Sequence, residues 1–134
     1  MFQSRDVAKI ALAMLYLGEG AKRRSHRGLM LGSSDPLIAT LYIALLERCY
    51  DIRKANLKCR ISYRADQNID ALENYWSHIT GIPRKNFYKT IPDPRTSGKK
   101  TIKHNYHGVC VITCRGTDVQ LELEQITHLL KKGL

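Results

Sequence analysis

Long hydrophobic runs are missing from this chain. Its longest unbroken apolar stretch runs from Ile10 to Leu17, whereas a membrane-spanning helix needs about 20 such residues. No transmembrane helix is therefore expected. Proline and glycine are sparse, 4 and 9 among 134 residues, which excludes collagen-like and low-complexity character. The segment Met1-Phe2-Gln3-Ser4-Arg5-Asp6 has no basic run leading into a cleavable small-residue site. No secretory signal is expected, and the setting reads as cytoplasmic. Cysteine occurs four times, at Cys49, Cys59, Cys110 and Cys114, with no C-x-x-C pair. Cys110 and Cys114 fall in a strand-like segment, where their spacing puts them about 13 Å apart along one face. That suits neither a zinc knuckle nor a local disulfide, so buried free thiols in a reducing compartment are expected.

Acids are the most telling shortage. There are 12 Asp and Glu against 22 Lys and Arg, a net charge of +10. A polyanion is the natural partner, nucleic acid first, an acidic membrane surface or acidic protein second. The hydrophobic and charged fractions, 43% and 25%, are those of a soluble globular protein. The length suits a single domain over 1–134 with a core of its own.

The pattern predicts helices over Ser4 to Gly18, Pro36 to about Arg48, Asp66 to Gly81 and Thr117 to Lys132. Asp35-Pro36 is a helix start, and Gly81 is a stop. The first helix is apolar on every face through Ile10–Leu17, so it needs cover on two sides. The chain's own sheet supplies one, and a symmetric second copy is the simplest source of the other. In the second helix, Leu37, Leu41, Ala44, Leu45 and Cys49 recur at helical spacing. In the third, Ile69, Leu72, Trp76 and Ile79 form the stripe, and Trp76 reads as core. The last helix carries Val119, Leu121, Leu123, Ile126, Leu129 and Leu130. Strands are predicted over Leu29 to Ser34, Leu57 to Ala65 and Tyr106 to Arg115. The whole is an α+β domain with one mixed or antiparallel sheet and helices on one face.

Two segments concentrate the positive charge. Lys22, Arg23, Arg24 and Arg27 lie in eight residues that contain no acid. The strand from Leu57 alternates strictly: Leu57, Cys59, Ile61, Tyr63 and Ala65 on one face, Lys58, Arg60, Ser62 and Arg64 on the other. A sheet face with three bases, one hydroxyl and no acid suits phosphates and base edges. Ile91 to Asn105 reads as a long exposed loop holding Arg95, Lys99, Lys100, Lys103 and His104. Phe87, Tyr88 and Tyr106 are the aromatics outside the expected core.

Leu12 to Gly20 reads L-A-M-L-Y-L-G-E-G. It resembles the nine-residue motif of the LAGLIDADG homing endonucleases, with Leu12, Ala13, Leu15 and Gly20 identical and Glu19 at the second acid. Met14 stands where the motif has a small residue, and Leu17 replaces the first acid. A basic hairpin and Ser33-Ser34-Asp35-Pro36 follow, in keeping with the family's αββαββα order. The stretch from Tyr75-Trp76 through Thr80-Gly81-Ile82-Pro83 to Phe87 is similar to bacterial LAGLIDADG-like proteins.

The resemblance implies a single-motif half-domain with a saddle-shaped sheet, here with an extra helix between the last strands. It further implies a homodimer whose motif helices pair through Ala11, Met14, Leu15 and Gly18. Each helix then delivers Glu19 to the centre of a basic sheet lying on duplex DNA. Glu19 and Gly20 are the implied metal position, for Mg²⁺ or another divalent cation such as Mn²⁺. Lys103 is the candidate base beside the phosphate, with Lys100 next. The DNA contacts expected are Lys22, Arg23, Arg24, Arg27, Ser33, Lys58, Arg60, Ser62, Arg64, Lys99, Lys100 and His104. The function implied is metal-dependent cleavage of a long, partly palindromic duplex site. The alternatives are a non-cleaving transcriptional regulator on the same scaffold and an RNA-binding splicing cofactor.

Overall fold

The computed structural model describes residues 5–19, 29–98, 106–114 and 117–133. Four helices, α1 (Arg5–Glu19), α2 (Pro36–Tyr50), α3 (Ile69–Thr80) and α4 (Thr117–Lys132), alternate with three strands, β1 (Leu29–Ser33), β2 (Lys58–Ser62) and β3 (Val109–Cys114). The class is α+β. β3 is central, and β1 and β2 each pair with it antiparallel. Among the described residues one strand, not a hairpin, precedes α2. The other half of the expected hairpin falls at Ala21–Gly28, outside the described residues.

Local chemistry sets the boundaries. Asp35 caps α2, its Oδ1 accepting from the Leu37 N–H at 2.9 Å, and Pro36 opens the helix. Asn68 Oδ1 accepts from the Asp70 and Ala71 N–H groups to start α3 at Ile69, three residues later than the pattern predicts. Gly81 ends that helix at φ 76°. α2 stops without a glycine. Asp51 takes the left-handed conformation at φ 53°, alone among the described non-glycine residues. Asp tolerates this backbone better than most side chains do.

The core lies between the helices and one face of the sheet. Leu29, Leu31, Cys59, Ile61, Cys110 and Ile112 point into it and meet Leu12, Tyr42, Leu46, Trp76 and Leu123. Trp76 is fully buried, as its stripe predicts, and its indole N–H donates to the His107 carbonyl at 2.7 Å. The neighbouring Tyr75 ring stacks on His107 with centroids 3.6 Å apart. Together these contacts tie α3 to the approach of β3. All four thiols are free and buried, as expected. Burial pushes Cys114 up to about 11. Cys110 is raised further, by its contact with Cys59 (Sγ to Sγ 2.9 Å) and by burial.

Helix faces differ from the sequence reading in two places. On α2, Leu37, Leu41 and Ala44 face solvent, Leu37 at 72% exposure. The buried stripe is Ala39, Tyr42, Ile43, Leu45, Leu46 and Cys49. The helix is apolar nearly all round, so periodicity alone could not orient it. On α4, Leu123 is buried, with Val119 and Ile126 packed around it, while Leu121 and Leu129 are exposed.

Gly108 just before β3 has φ 73°, and a Cβ there would stand 2.6 Å from the Ser62 carbonyl oxygen. Both the backbone and the close approach of β2 require glycine. Gly108→Ala should lower stability by at least ~1–2 kcal/mol, read as a lower urea midpoint.

Candidate nucleic-acid interface

Strand pleating turns every second residue of the sheet away from the helices. Across the sheet these residues form rows: Gly32, Val111 and Arg60 in one, Met30, Thr113 and Lys58 in the next, and Val109 with Ser62 beyond. No helix among the described residues covers this face, because the buried residues of all four helices gather on the other. β2 shows the predicted alternation, with Lys58, Arg60 and Ser62 exposed and Cys59 and Ile61 buried.

A fourth lane extends the sheet beyond β2. Phe87 forms a parallel bridge with Cys59, and Asp93 forms one with Arg64. The Tyr88 N–H donates to the Cys59 carbonyl at 2.9 Å, and the Asp93 N–H to the Tyr63 carbonyl at 2.9 Å. Phe87 packs on the core, whereas Tyr88 is half-exposed. This segment reads from sequence as a plain connector. No run of alternating residues marks it, since two isolated bridges hold it in place.

Several acids already have cationic partners. Arg84 reaches Glu73 at 2.7 Å and Asp70 at 3.2 Å on α3, and these contacts hold its guanidinium above the usual range. Arg95 pairs with Asp93 at 3.0 Å, and its hydrogen bonds keep the carboxyl below the usual range. Lys9 pairs with Glu122 at 2.6 Å between α1 and α4 and lowers that carboxyl. Lys58 and Arg60 have no acid within 4.0 Å among the described residues and are exposed.

A cleft of about 940 Å³ opens beside these two bases. Asp51, Asn56 and Thr113 give its lining polar groups, and Met30, Ile52 and Tyr88 give it apolar surface. Sequence reasoning missed Asp51, Ile52 and Asn56. They lie in the turn after α2, including the 3-10 turn Lys54–Asn56, where no periodicity applies. The available signal was the cluster of polar and basic residues from Asp51 to Asn56 just ahead of the alternating strand.

Two expected positions need correction. Ser33 belongs to the core-facing set of β1, 6% exposed, and its hydroxyl accepts from the Asp35 N–H at 3.0 Å. It helps cap α2 and is not offered to a polyanion. Arg64 lies beyond the end of β2, and its guanidinium sits 4.8 Å from the Tyr106 ring centroid. It borders the basic face as a half-buried, stacked cation and does not continue the row of Lys58, Arg60 and Ser62.

On α1, Ala8, Leu12, Ala13 and Tyr16 are buried against the rest of the chain, and Ala11 and Leu15 pack at the edge of that core. Val7, Ile10 and Met14 form the outward stripe, Met14 at 52% exposure. Of the expected pairing set, Met14 is on the outward face. Ala11 and Leu15 are part-buried at the core's edge, and Val7 and Ile10 share the outward face with Met14. α1 ends at Glu19. Gly18 lies within α1, but its surroundings and the Glu19 side chain are not described, and Gly20, Lys22, Arg23, Arg24, Arg27, Lys99, Lys100, Lys103 and His104 lie outside the described residues. Among those described, no three His, Cys, Asp or Glu side chains gather as a metal-holding group, and no helix is long and apolar enough to cross a membrane.

Comparison with protein-family models, curated proteins and solved structures finds no match for this chain.

Proposed function

We propose that the helix-free face of the sheet binds duplex DNA and that the protein is a homodimeric, LAGLIDADG-like endonuclease. The observation that carries this reading is the pair Lys58 and Arg60. They stand exposed on a helix-free face, with no acid within 4.0 Å among the described residues, in a chain of net charge +10. Backbone phosphates supply the matching charge, and neighbouring side chains reach base edges. The outward stripe Val7, Ile10 and Met14 on α1 supports pairing of two copies through their first helices, the arrangement the motif implies.

The chemistry assigned to the motif fits its place in the chain. Glu19 ends α1, and a helix C-terminus with a carboxylate favours a cation. Oxygen donors of this kind suit Mg²⁺ or Mn²⁺. Glu19 and the Gly20 backbone would hold the ion, which when bound supplies Lewis acidity for phosphodiester hydrolysis. Lys58 and Arg60 bind and orient the backbone. Lys103, with Lys100 next, is proposed to neutralise charge at the phosphate, and Lys22, Arg23, Arg24, Arg27, Lys99 and His104 to extend the contact.

The non-cleaving regulator is the second reading, and Met14 favours it. A long side chain at a small-residue position of the helix seam holds the two helices, and hence their carboxylates, further apart. Supercoiled plasmid with Mg²⁺ separates the two. The native protein should nick or linearise it, and Glu19→Gln should bind equally and leave it intact. Equal binding with no cutting by either protein establishes the regulator.

A further inference from the structure

We infer that the cleft beside Lys58 and Arg60 holds a single unpaired nucleobase, its phosphate on the two cations. This deepens the proposed role of the sheet face and rests on it for the source of the base. The cleft's volume of about 940 Å³ lies within the ~300–1,000 Å³ range of small-molecule sites. Its lining combines two kinds of surface. Met30, Ile52 and the Tyr88 ring offer apolar and aromatic surface for a planar group. Lys58 and Arg60 offer charge for one phosphate.

Asp51 selects among planar anions. A lining of two bases and one acid is net positive and accepts a phosphate, and an occupant that also reaches Asp51 must offer it a hydrogen-bond donor. The exocyclic amines of adenine, cytosine and guanine do so, whereas thymine offers only its N3–H, set between two carbonyl oxygens that a carboxylate repels. Asp51 is held by its left-handed backbone at φ 53° and by its N–H bond to the Glu47 carbonyl at 3.0 Å. Tyr88 is equally fixed, through its backbone bond to Cys59, while its ring is half-exposed. The backbone at both positions is thus set by the fold before any ligand arrives. A base paired inside a duplex cannot enter such a recess, whereas a bulged, flipped or terminal base can.

The test uses the full chain and three probes: a fully paired duplex, the same duplex with one bulged fluorescent adenine analogue, and adenosine monophosphate. The bulged duplex should bind about tenfold more tightly than the paired one, with the analogue's emission quenched on stacking. A bulged thymine should lose most of that gain. Tyr88→Ala should remove the gain and the quenching while leaving paired-duplex affinity unchanged, and Asp51→Asn should reduce the adenine-over-thymine preference. Equal affinity for paired and bulged duplexes with no quenching overturns the inference and leaves duplex binding standing. Saturation-transfer contact to adenosine monophosphate that is lost in Tyr88→Ala, without binding of either duplex, keeps the cleft and assigns it to free nucleotide. That outcome overturns the proposed role of the sheet face, and binding of none of the probes overturns both.

Discussion

Replacing Lys58 and Arg60 together with alanine should weaken duplex binding about 30- to 1,000-fold, equivalent to ~2–4 kcal/mol for one phosphate contact and one base contact. Both side chains are exposed, and neither has an acid within 4.0 Å among the described residues. Their removal leaves no buried charge unpaired, and the fold should keep its unfolding midpoint. The loss should depend on salt. Each phosphate contact removed takes about one unit from the slope of log affinity against log salt concentration. Fluorescence anisotropy between low and physiological salt measures both quantities. Arg60 sits mid-strand between Val111 and the fourth lane, so Arg60→Ala alone should flatten the preference between DNA sequences more than Lys58→Ala does. Undiminished affinity in the double variant, with its thermal unfolding unchanged, would place the nucleic acid elsewhere.

Much of this surface was legible from sequence, for a plain physical reason. A strand repeats every two residues, so a strictly alternating segment reports its own faces. Lys58 through Ser62 is such a segment, and its orientation follows without knowledge of the rest of the fold. The signal fails where the period fails. At Arg64 the strand has already ended, and the side chain follows a turn and a ring contact instead of the pleat. Ser33 lies on an apolar strand whose register against Cys110 decides which face it takes. That pairing is long-range and leaves no mark near Ser33. Helices made almost wholly of apolar residues are equally silent about direction, which is why Leu37 and Leu41 were expected inside. The cleft was hidden for a different reason. It is built from the end of α2, a 3-10 turn, a strand and a bridged segment, and no one of these is unusual alone.

The largest effect is expected on α1. Ile10→Asp combined with Met14→Asp should convert a dimer of twice the 15.3 kDa chain mass into a monomer, measured by sedimentation or light scattering. In the single chain both positions are exposed, so a carboxylate there remains hydrated and the core of Ala8, Leu12, Ala13 and Tyr16 is untouched. In a pair joined through this stripe, four carboxylates would be driven into one seam, at a desolvation cost of several kcal/mol per buried ion. Duplex affinity should fall with assembly. A dimer binds its second half-site at the high effective concentration set by the first, a gain of about 10²–10⁴ that a monomer forfeits. The two substitutions lie on the helix layer, so the same loss cannot come from the sheet face, and single half-site DNA should still bind the variant as it binds the native chain. Cleavage, if Glu19 performs it, should disappear more completely than binding, because one carboxylate no longer meets its symmetry mate. A native protein that sediments as a monomer, free and on DNA, would remove the pairing, and with it the reason for assigning Glu19 a reaction.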